Sequence, residues 1–321
     1  MNSTKLDSRR KSTASATHLK VKNILATTDL SNRSFAGVRY AAALGKRISA
    51  KVALLYVVEL PPPPPRDYLL SGDNSKIPKS ARARLNTLAT GESRGDAKLT
   101  PLIRSGNSIY GILATARERA ADLIVIATHG YTGANRVFLG STAERVVRHA
   151  PCSVLTVPAR AIRRRTGQML PFSLTRILVP IDFSECSKAA LPWAASVAAE
   201  FNAELILLHV VETFAADYLL GPQLANETIT PLMKEREAEL KRMAESLKES
   251  TGLKVSAAVR AGKPFKEIYS ASEKLGADLI ALTTRGNTGL KRVWLGSTAE
   301  RVVRHASRPV LIVRERERKK S

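Results

Sequence analysis

Little in this chain points to a metal site, a disulfide scaffold or a membrane. Cysteine occurs twice, at Cys152 and Cys186, too far apart in sequence for a CxxC clamp. The five histidines never fall at a metal-ligand spacing. Both scarcities suit a reducing, intracellular setting and argue against zinc. No apolar run reaches the ~20 residues of a membrane-spanning helix. The opening residues, MNSTKLDSRRKSTASATH, lack the apolar core of a secretory leader. They are basic and poor in acids, as a transit peptide also is, but read better as a disordered tail over 1–19. A soluble, cytoplasmic protein without membrane attachment is expected. Aromatic residues make up only 5% of the chain, too few for a base-stacking surface.

Acidic residues are also short, 28 against 51 lysines and arginines, which leaves a net charge of +23. More than half of that excess lies in 1–20, 66–94, 160–166 and 314–321, segments that read as tails, loops or a linker. Charge carried there attracts polyanions non-specifically through counterion release. No nucleic-acid-binding module accompanies it.

What the chain does contain is a repeat. LGSTAERVVRHA occurs at Leu139–Ala150 and again, unchanged, at Leu295–Ala306. One folding unit is written twice in tandem, over 20–158 and 174–314, joined by a basic linker over 159–173 and followed by a charged tail over 315–321. Each unit is long enough for a full core without disulfides or metals.

Both units read alike. Apolar strands at Val21–Thr27 and Thr175–Pro180 run into Ser31 and Ser184, which stand where helix N-caps belong. The helices that follow reach Ile48 and Phe201, the second kinked by Pro192. Second strands are expected at Lys51–Val58 and Glu204–Val211. The first unit then carries Pro61–Pro65, read as a stiff spacer rather than an SH3 ligand. The second carries a helix over Thr230–Ser250 with Leu232, Met233, Leu240, Met243 and Leu247 on one stripe. Asp67–Leu70 and Asp217–Leu220 echo one another. Third strands (Leu99–Arg104, Val255–Arg260) stop at Gly106 and Gly262. Fourth strands (Asp122–Ala127, Asp278–Thr283), the duplicated helix and final strands (Val154–Val157, Val310–Val313) complete each unit. Alternating β and α elements with near-continuous apolar strands give the fold class, α/β, as two tandem doubly wound, five-stranded parallel-sheet domains of Rossmann-like type.

Ligands of such sheets bind beyond the strand carboxyl ends, at the topological switch point. Asp29 and Asp182 stand at the end of strand one. The turns Thr128-His129-Gly130 and Thr284-Arg285-Gly286 stand at the end of strand four. Gly140-Ser141-Thr142 and Gly296-Ser297-Thr298 open the duplicated helix. Glycines admit close backbone approach, hydroxyls donate hydrogen bonds, and a helix start adds amides and a positive dipole end. Taken alone, each turn reads better as a strand terminator and each serine as a cap. Recurrence of both turns in both units favours a phosphate-holding role.

This pattern resembles the universal stress protein family, across nearly the whole chain as two domains. Nucleotide-binding members carry G-x2-G-x9-G-(S/T). Gly130-x9-Gly140-Ser141 and Gly286-x9-Gly296-Ser297 match its latter part, while Ala127 and Thr283 replace the first glycine. Alanine is a small departure; the branched Thr283 predicts a weaker second site. The resemblance implies an ATP site, with or without Mg2+, formed by Thr28, Asp29, Val52, Ala127, His129, Gly130, Gly133, Gly140, Ser141 and Thr142. In the second unit it implies Pro180, Ile181, Asp182, Leu205, Thr283, Arg285, Gly286, Gly289, Gly296, Ser297 and Thr298. Asp29 and Asp182 would contact the nucleoside end, or serve only as Asx turns. Val52 and Leu205 would offer backbone bonds to adenine besides packing in the core. His149 and His305 read as cations at helix C-termini, Arg145 and Arg301 as surface charges.

Three functions remain open at this point. They are a nucleotide holder without strong catalysis, a slow Mg-dependent ATPase, and an interaction protein with degenerate pockets. No Walker A sequence and no nucleophile–base set favours catalysis. The units are expected to pack about a pseudo-two-fold through their final strands, with a homodimer as a further option.

Overall fold

The computed structural model describes residues 21–59, 77–93, 98–128, 140–159, 161, 164–165, 168–169, 172–213, 222–283 and 296–314. The expected tails, the Pro61–Pro65 run and the two Asp-Tyr-Leu-Leu echoes lie outside these residues.

The first half runs β1 (Asn23–Thr28), α1 (Phe35–Arg47), β2 (Lys51–Val58), α2 (Lys79–Glu92), β3 (Leu99–Ser105), α3 (Ser108–Glu118), β4 (Leu123–Ala127), α4 (Ser141–His149) and β5 (Ser153–Val157). A short hairpin of β6 (Arg164–Arg165) and β7 (Gln168–Met169) falls within the expected linker. The second half runs β8 (Arg176–Pro180), α5 (Glu185–Lys188), α6 (Leu191–Phe201), β9 (Glu204–Glu212), α7 (Pro222–Thr251), β10 (Val255–Gly262), α8 (Pro264–Lys274), β11 (Leu279–Thr283), α9 (Ser297–His305) and β12 (Val310–Val313).

Within each half five parallel strands take the order third, second, first, fourth, fifth. The two sheets do not stand apart. β12 pairs antiparallel with β5, matching Val310 to Thr156, Leu311 to Leu155 and Ile312 to Val154. The result is one ten-stranded sheet. Alternate side chains of the central strands enter two cores, one on each face. One holds Leu54, Val125, Leu155, Val179, Leu207 and Leu311. The other holds Leu55, Ile124, Val154, Leu178, Ile206 and Ile312. Each core therefore crosses the boundary between the halves. Burial on both faces explains why these strands read as unbroken apolar runs.

Three local expectations are corrected. Ser31 does not cap α1: it forms a turn in which Ser34 N donates to Ser31 O at 3.1 Å, and the helix begins at Phe35. Ser184 does cap α5, accepting from Ser187 N. Pro192 does not kink a continuous helix. The chain breaks between Lys188 and Leu191, so Pro192 sits in the first turn of α6, where its missing N–H leaves no bond unmade. The helix expected over Thr230–Ser250 is longer, Pro222–Thr251. Among its described side chains, those of the later part meet the core. Leu240 and Ala244 are buried and Met243 and Leu247 pack on the core, whereas Leu232 stays exposed.

At the amino ends of the strands, one carboxylate per half ties strand four to strand one. Asp122 Oδ2 accepts from Lys22 N and Asn23 N at 2.8 and 2.9 Å. Asp278 Oδ2 accepts from Thr175 N at 2.7 Å and Arg176 N at 3.2 Å. These acids hold the register that aligns the opposite, carboxyl ends.

Candidate functional site

β1 lies between β2 and β4, so the chain reverses its direction of progress across the sheet there, opening a crevice at the carboxyl ends. Asp29 rims it. Its Oδ1 accepts from Ser31 N at 2.9 Å, an Asx turn. The next residue, Leu30, has φ +61°, and its N–H donates to Thr28 Oγ1 at 2.9 Å. The second half repeats the corner. Asp182 Oδ1 accepts from Ser184 N at 3.0 Å and from Ser184 Oγ at 2.6 Å, and Phe183 has φ +64°. A left-handed non-glycine residue costs about 1–2 kcal/mol, so its recurrence beside the same acid marks a corner that the fold maintains against strain.

Across the crevice, β4 meets α4. Thr128 N donates to Val157 O at 3.1 Å, and Thr128 O accepts from Gly140 N at 2.8 Å. That bond seats the start of α4 directly over the end of β4. A Cβ on Gly140 would stand 3.3 Å from Thr128 O. Its φ is −57°, an ordinary helical value. Glycine is needed there for close approach, not for an unusual dihedral.

Gly140 is itself the N-cap of α4, and Gly296 that of α9. The capping alternative for Ser141 and Ser297 therefore falls, since both are first helical residues. Neither helix has a side-chain cap. The intrahelical ladder begins at Glu144 N and Glu300 N, bonded to Gly140 O and Gly296 O at 3.0 and 2.9 Å. The amides of Ser141, Thr142 and Ala143, and of Ser297, Thr298 and Ala299, thus precede the ladder at a positive dipole end. The acids in these first turns do not oppose an anion strongly. Glu144 is paired with Arg148 at 3.0 Å and Glu300 with Arg304 at 2.7 Å.

Ala127 and Thr283, in place of the first motif glycine, end β4 and β11. α1 crosses close above Ala127: a Cβ on Gly37 would lie 3.2 Å from Ala127 N. Pro180 ends β8, and Ile181 beyond it is buried with its N–H on Leu208 O at 2.8 Å. Thr28, Asp29, Ala127, Gly140, Ser141 and Thr142 thus share one edge. Pro180, Ile181, Asp182, Thr283, Gly296, Ser297 and Thr298 share the other half's edge. His129, Gly130, Gly133, Arg285, Gly286 and Gly289 lie outside the described residues.

Val52 and Leu205 do not join them. Val52 pairs with Ile24 and Leu205 with Ile177, near the amino ends of their strands, and both are buried. Val52 lies four strand positions, about 13 Å, from the level of Thr28. Leu205 N is also already donated to Lys254 O at 2.9 Å. The strand-two residues level with the crevice are instead Tyr56, opposite Thr28, and Leu208, opposite Pro180.

Sequence reading also missed His209, the residue after Leu208. Its Nδ1 donates to Ile181 O at 2.7 Å, and its ring stands 4.7 Å from that of Phe183. Burial pushes the imidazole below its ordinary pKa, and Arg236 adds to this; the carbonyl bond works the other way. Arg236, from α7, stands 5.6 Å over Phe183, while in the first half Arg84, from α2, donates to Leu30 O at 3.3 Å. The available signal was the equal spacing of Tyr56 and His209 from Asp29 and Asp182.

His149 and His305 are exposed and end α4 and α9. Arg145 is exposed, and Arg301 stands 5.0 Å over Phe265. Cys152 is buried and Cys186 exposed, and no disulfide joins them. Among the described residues no group of three or more His, Cys, Asp or Glu is arranged for a metal. Among them, too, no helix is long and apolar enough to cross a membrane.

Known proteins match this arrangement. The model of the universal stress protein family matches residues 20–158 and 173–314. The universal stress protein MJ0531 of Methanocaldococcus jannaschii is 37% identical over 140 residues, covering 44% of this chain and 82% of its own. MJ0577 of the same organism, also a universal stress protein, is 32% identical over 154 residues, covering 44% and 95%. A solved universal stress protein from Archaeoglobus fulgidus is similar over 93% of this chain and 98% of its own, with a TM-score of 0.68 at 22% identity. That last likeness is one of fold.

Proposed function

The chain belongs to the universal stress protein family, and on that premise we propose that it holds ATP in the crevice of each half, as a nucleotide-responsive regulator without strong catalysis. One observation carries the reading. The Gly140 N–H bond to Thr128 O sets the uncapped start of α4 over the end of β4, beside the Asp29 corner. Phosphate oxygens meet backbone amides and a positive dipole end there, and the Ser141 and Thr142 hydroxyls add donors. Asp29 and Asp182 accept hydroxyl hydrogens of the ribose. Adenine lies toward the end of strand two, near Tyr56 in one half and His209 in the other. Any Mg2+ arrives with the phosphates rather than on a protein cluster. The chain's basic excess adds a weak, salt-screened attraction for polyanions in general.

Thr283 supports a difference between the halves. A branched side chain stands where the first half has Ala127, so the first site binds more tightly. Mass spectrometry of the small molecules released on heat denaturation tests the proposal, with an adenine nucleotide as the expected ligand. Gly140→Val and Gly296→Val are each expected to raise the dissociation constant of their own half about tenfold or more, the cost of losing one charge-assisted contact set. Far-UV circular dichroism checks that the fold persists. Folded variants with unchanged ATP affinity would leave the crevices without this role.

A further inference from the structure

The start of α4 carries the proposed phosphate contacts; its other end is held from the opposite half. Arg314 directly follows β12, and the antiparallel β12–β5 pairing delivers it to the junction of α4 and β5. There its Nη2 donates to Val147 O at 3.2 Å and also to Arg148 O. Its backbone N–H donates to Ser153 Oγ at 3.2 Å. A guanidinium on the last carbonyls of a helix satisfies acceptors that the ladder leaves over and faces the negative dipole end.

The contact is not repeated by symmetry. The repeat spacing that pairs Val313 with Val157 pairs Arg314 with Pro158, which has neither a cationic side chain nor an N–H. So the second half grips the helix of the first, and α9 receives no such grip from Pro158.

We propose that Arg314 is a positioning residue through which the second half seats α4, and with it the first phosphate turn. This rests on the nucleotide reading above. α4 has nine residues, about 13 Å of stiff helix, so its two ends move together. The Thr128–Gly140 bond fixes one end and Arg314 the other. By linkage, nucleotide held at the start of α4 tightens the Arg314 contact, so occupancy of the first half is felt at the final strand of the second.

Hydrogen exchange of the full-length protein, read peptide by peptide over a titration with ATP, separates α4 from α9. In Arg314→Gln the ATP concentration giving half-maximal protection of the α4 peptide is expected to rise about three- to tenfold, the scale of one partly buried charge–dipole contact. The α9 peptide should keep its wild-type midpoint. Arg314→Lys, which keeps the charge but not the fork, should recover part of the loss. Unchanged α4 midpoints, or equal shifts at α4 and α9, would overturn the proposal. If ATP protects neither helix in the wild type, the nucleotide reading fails instead. The ATP-free exchange of α4 then decides Arg314's role: faster in Arg314→Gln supports it, and unchanged refutes it.

Discussion

At the scale of single residues, Tyr40 carries a clear cost. It is buried where α1 of the first half meets the second, with its ring 4.8 Å from Phe172 in an edge-on arrangement. Apolar side chains of both halves, among them Leu155, Leu174 and Leu311, line the space around it, and its hydroxyl has no hydrogen-bond partner among the described residues. Leaving such a group unpaired costs about 1–3 kcal/mol. Tyr40→Phe is therefore expected to stabilise the protein by about 1 kcal/mol, seen as a higher urea midpoint with an unchanged slope. A loss of stability would mean that the hydroxyl has a partner. Burial, with Asp278 nearby, also pushes the phenol pKa well above its ordinary value. The folded state thus favours the protonated phenol. That stabilisation is complete below the unfolded value of about 10 and declines as pH rises above it. The Tyr40→Phe variant should lack this component of alkaline destabilisation.

Residues were also where sequence reading reached its limit. Asp29, Asp182, Gly140 and Gly296 could be placed because punctuation residues mark where strands stop and helices start. Val52 and Leu205 were misassigned because a run such as KVALLYVV identifies a strand without saying which of its ends reaches the crevice. That follows only from register, which depends on partners distant in the chain. His209 was passed over for a related reason. A histidine inside an apolar run reads as core until its neighbour across the sheet, Ile181, is known. The unpaired hydroxyl of Tyr40 has no sequence signature at all.

At the scale of elements, α1 shows how closely helix and sheet must meet to bring the two sides of the crevice together. Gly37 packs on the backbone at Ala127, and a Cβ on Gly45 would stand 2.3 Å from Val52 Cγ2. The branched Val52 side chain, itself buried in β2, has little room to yield. Gly45→Ala is accordingly expected to cost about 1–3 kcal/mol despite alanine's better helix propensity, measured as a lower denaturation midpoint. A stabilised variant would show that α1 can lift from β2 freely. Element identity was largely legible, since apolar strands alternate with periodic helices in both halves. Element ends were less so. Ser31 carries the chemistry of a cap, yet the turn from Ser31 to Ser34 intervenes before α1. Pro192 looked interior only because the break after Lys188 has no glycine to announce it.

For the whole molecule, the decisive feature is the β5–β12 pair. It turns two five-stranded sheets into one, and both cores run through it. The repeat announced two units, and their final strands were the natural edges to join. The ion pair of Arg47 with Glu200 at 3.1 Å adds a polar contact between the halves, though exposed pairs of this kind contribute little. Shared cores predict a single cooperative transition for both halves. The chain allows a simple check, because both tryptophans, Trp193 and Trp294, belong to the second half. Tryptophan fluorescence reports the second half and, through Trp193 in the space shared with Tyr40 and Leu155, its seam with the first, whereas far-UV circular dichroism reports the helices and strands of both. Coincident urea transitions are expected; separated ones would mean that the halves unfold independently.

The central claim is that the crevices at the carboxyl edge of this sheet hold ATP through the amides that open α4 and α9. Calorimetric titration of nucleotide-free, full-length protein with ATP tests it most directly. The prediction is saturable binding in which Gly140→Val removes the tighter component and Gly296→Val the weaker. An absence of binding, or isotherms that neither substitution alters in a folded protein, would contradict it.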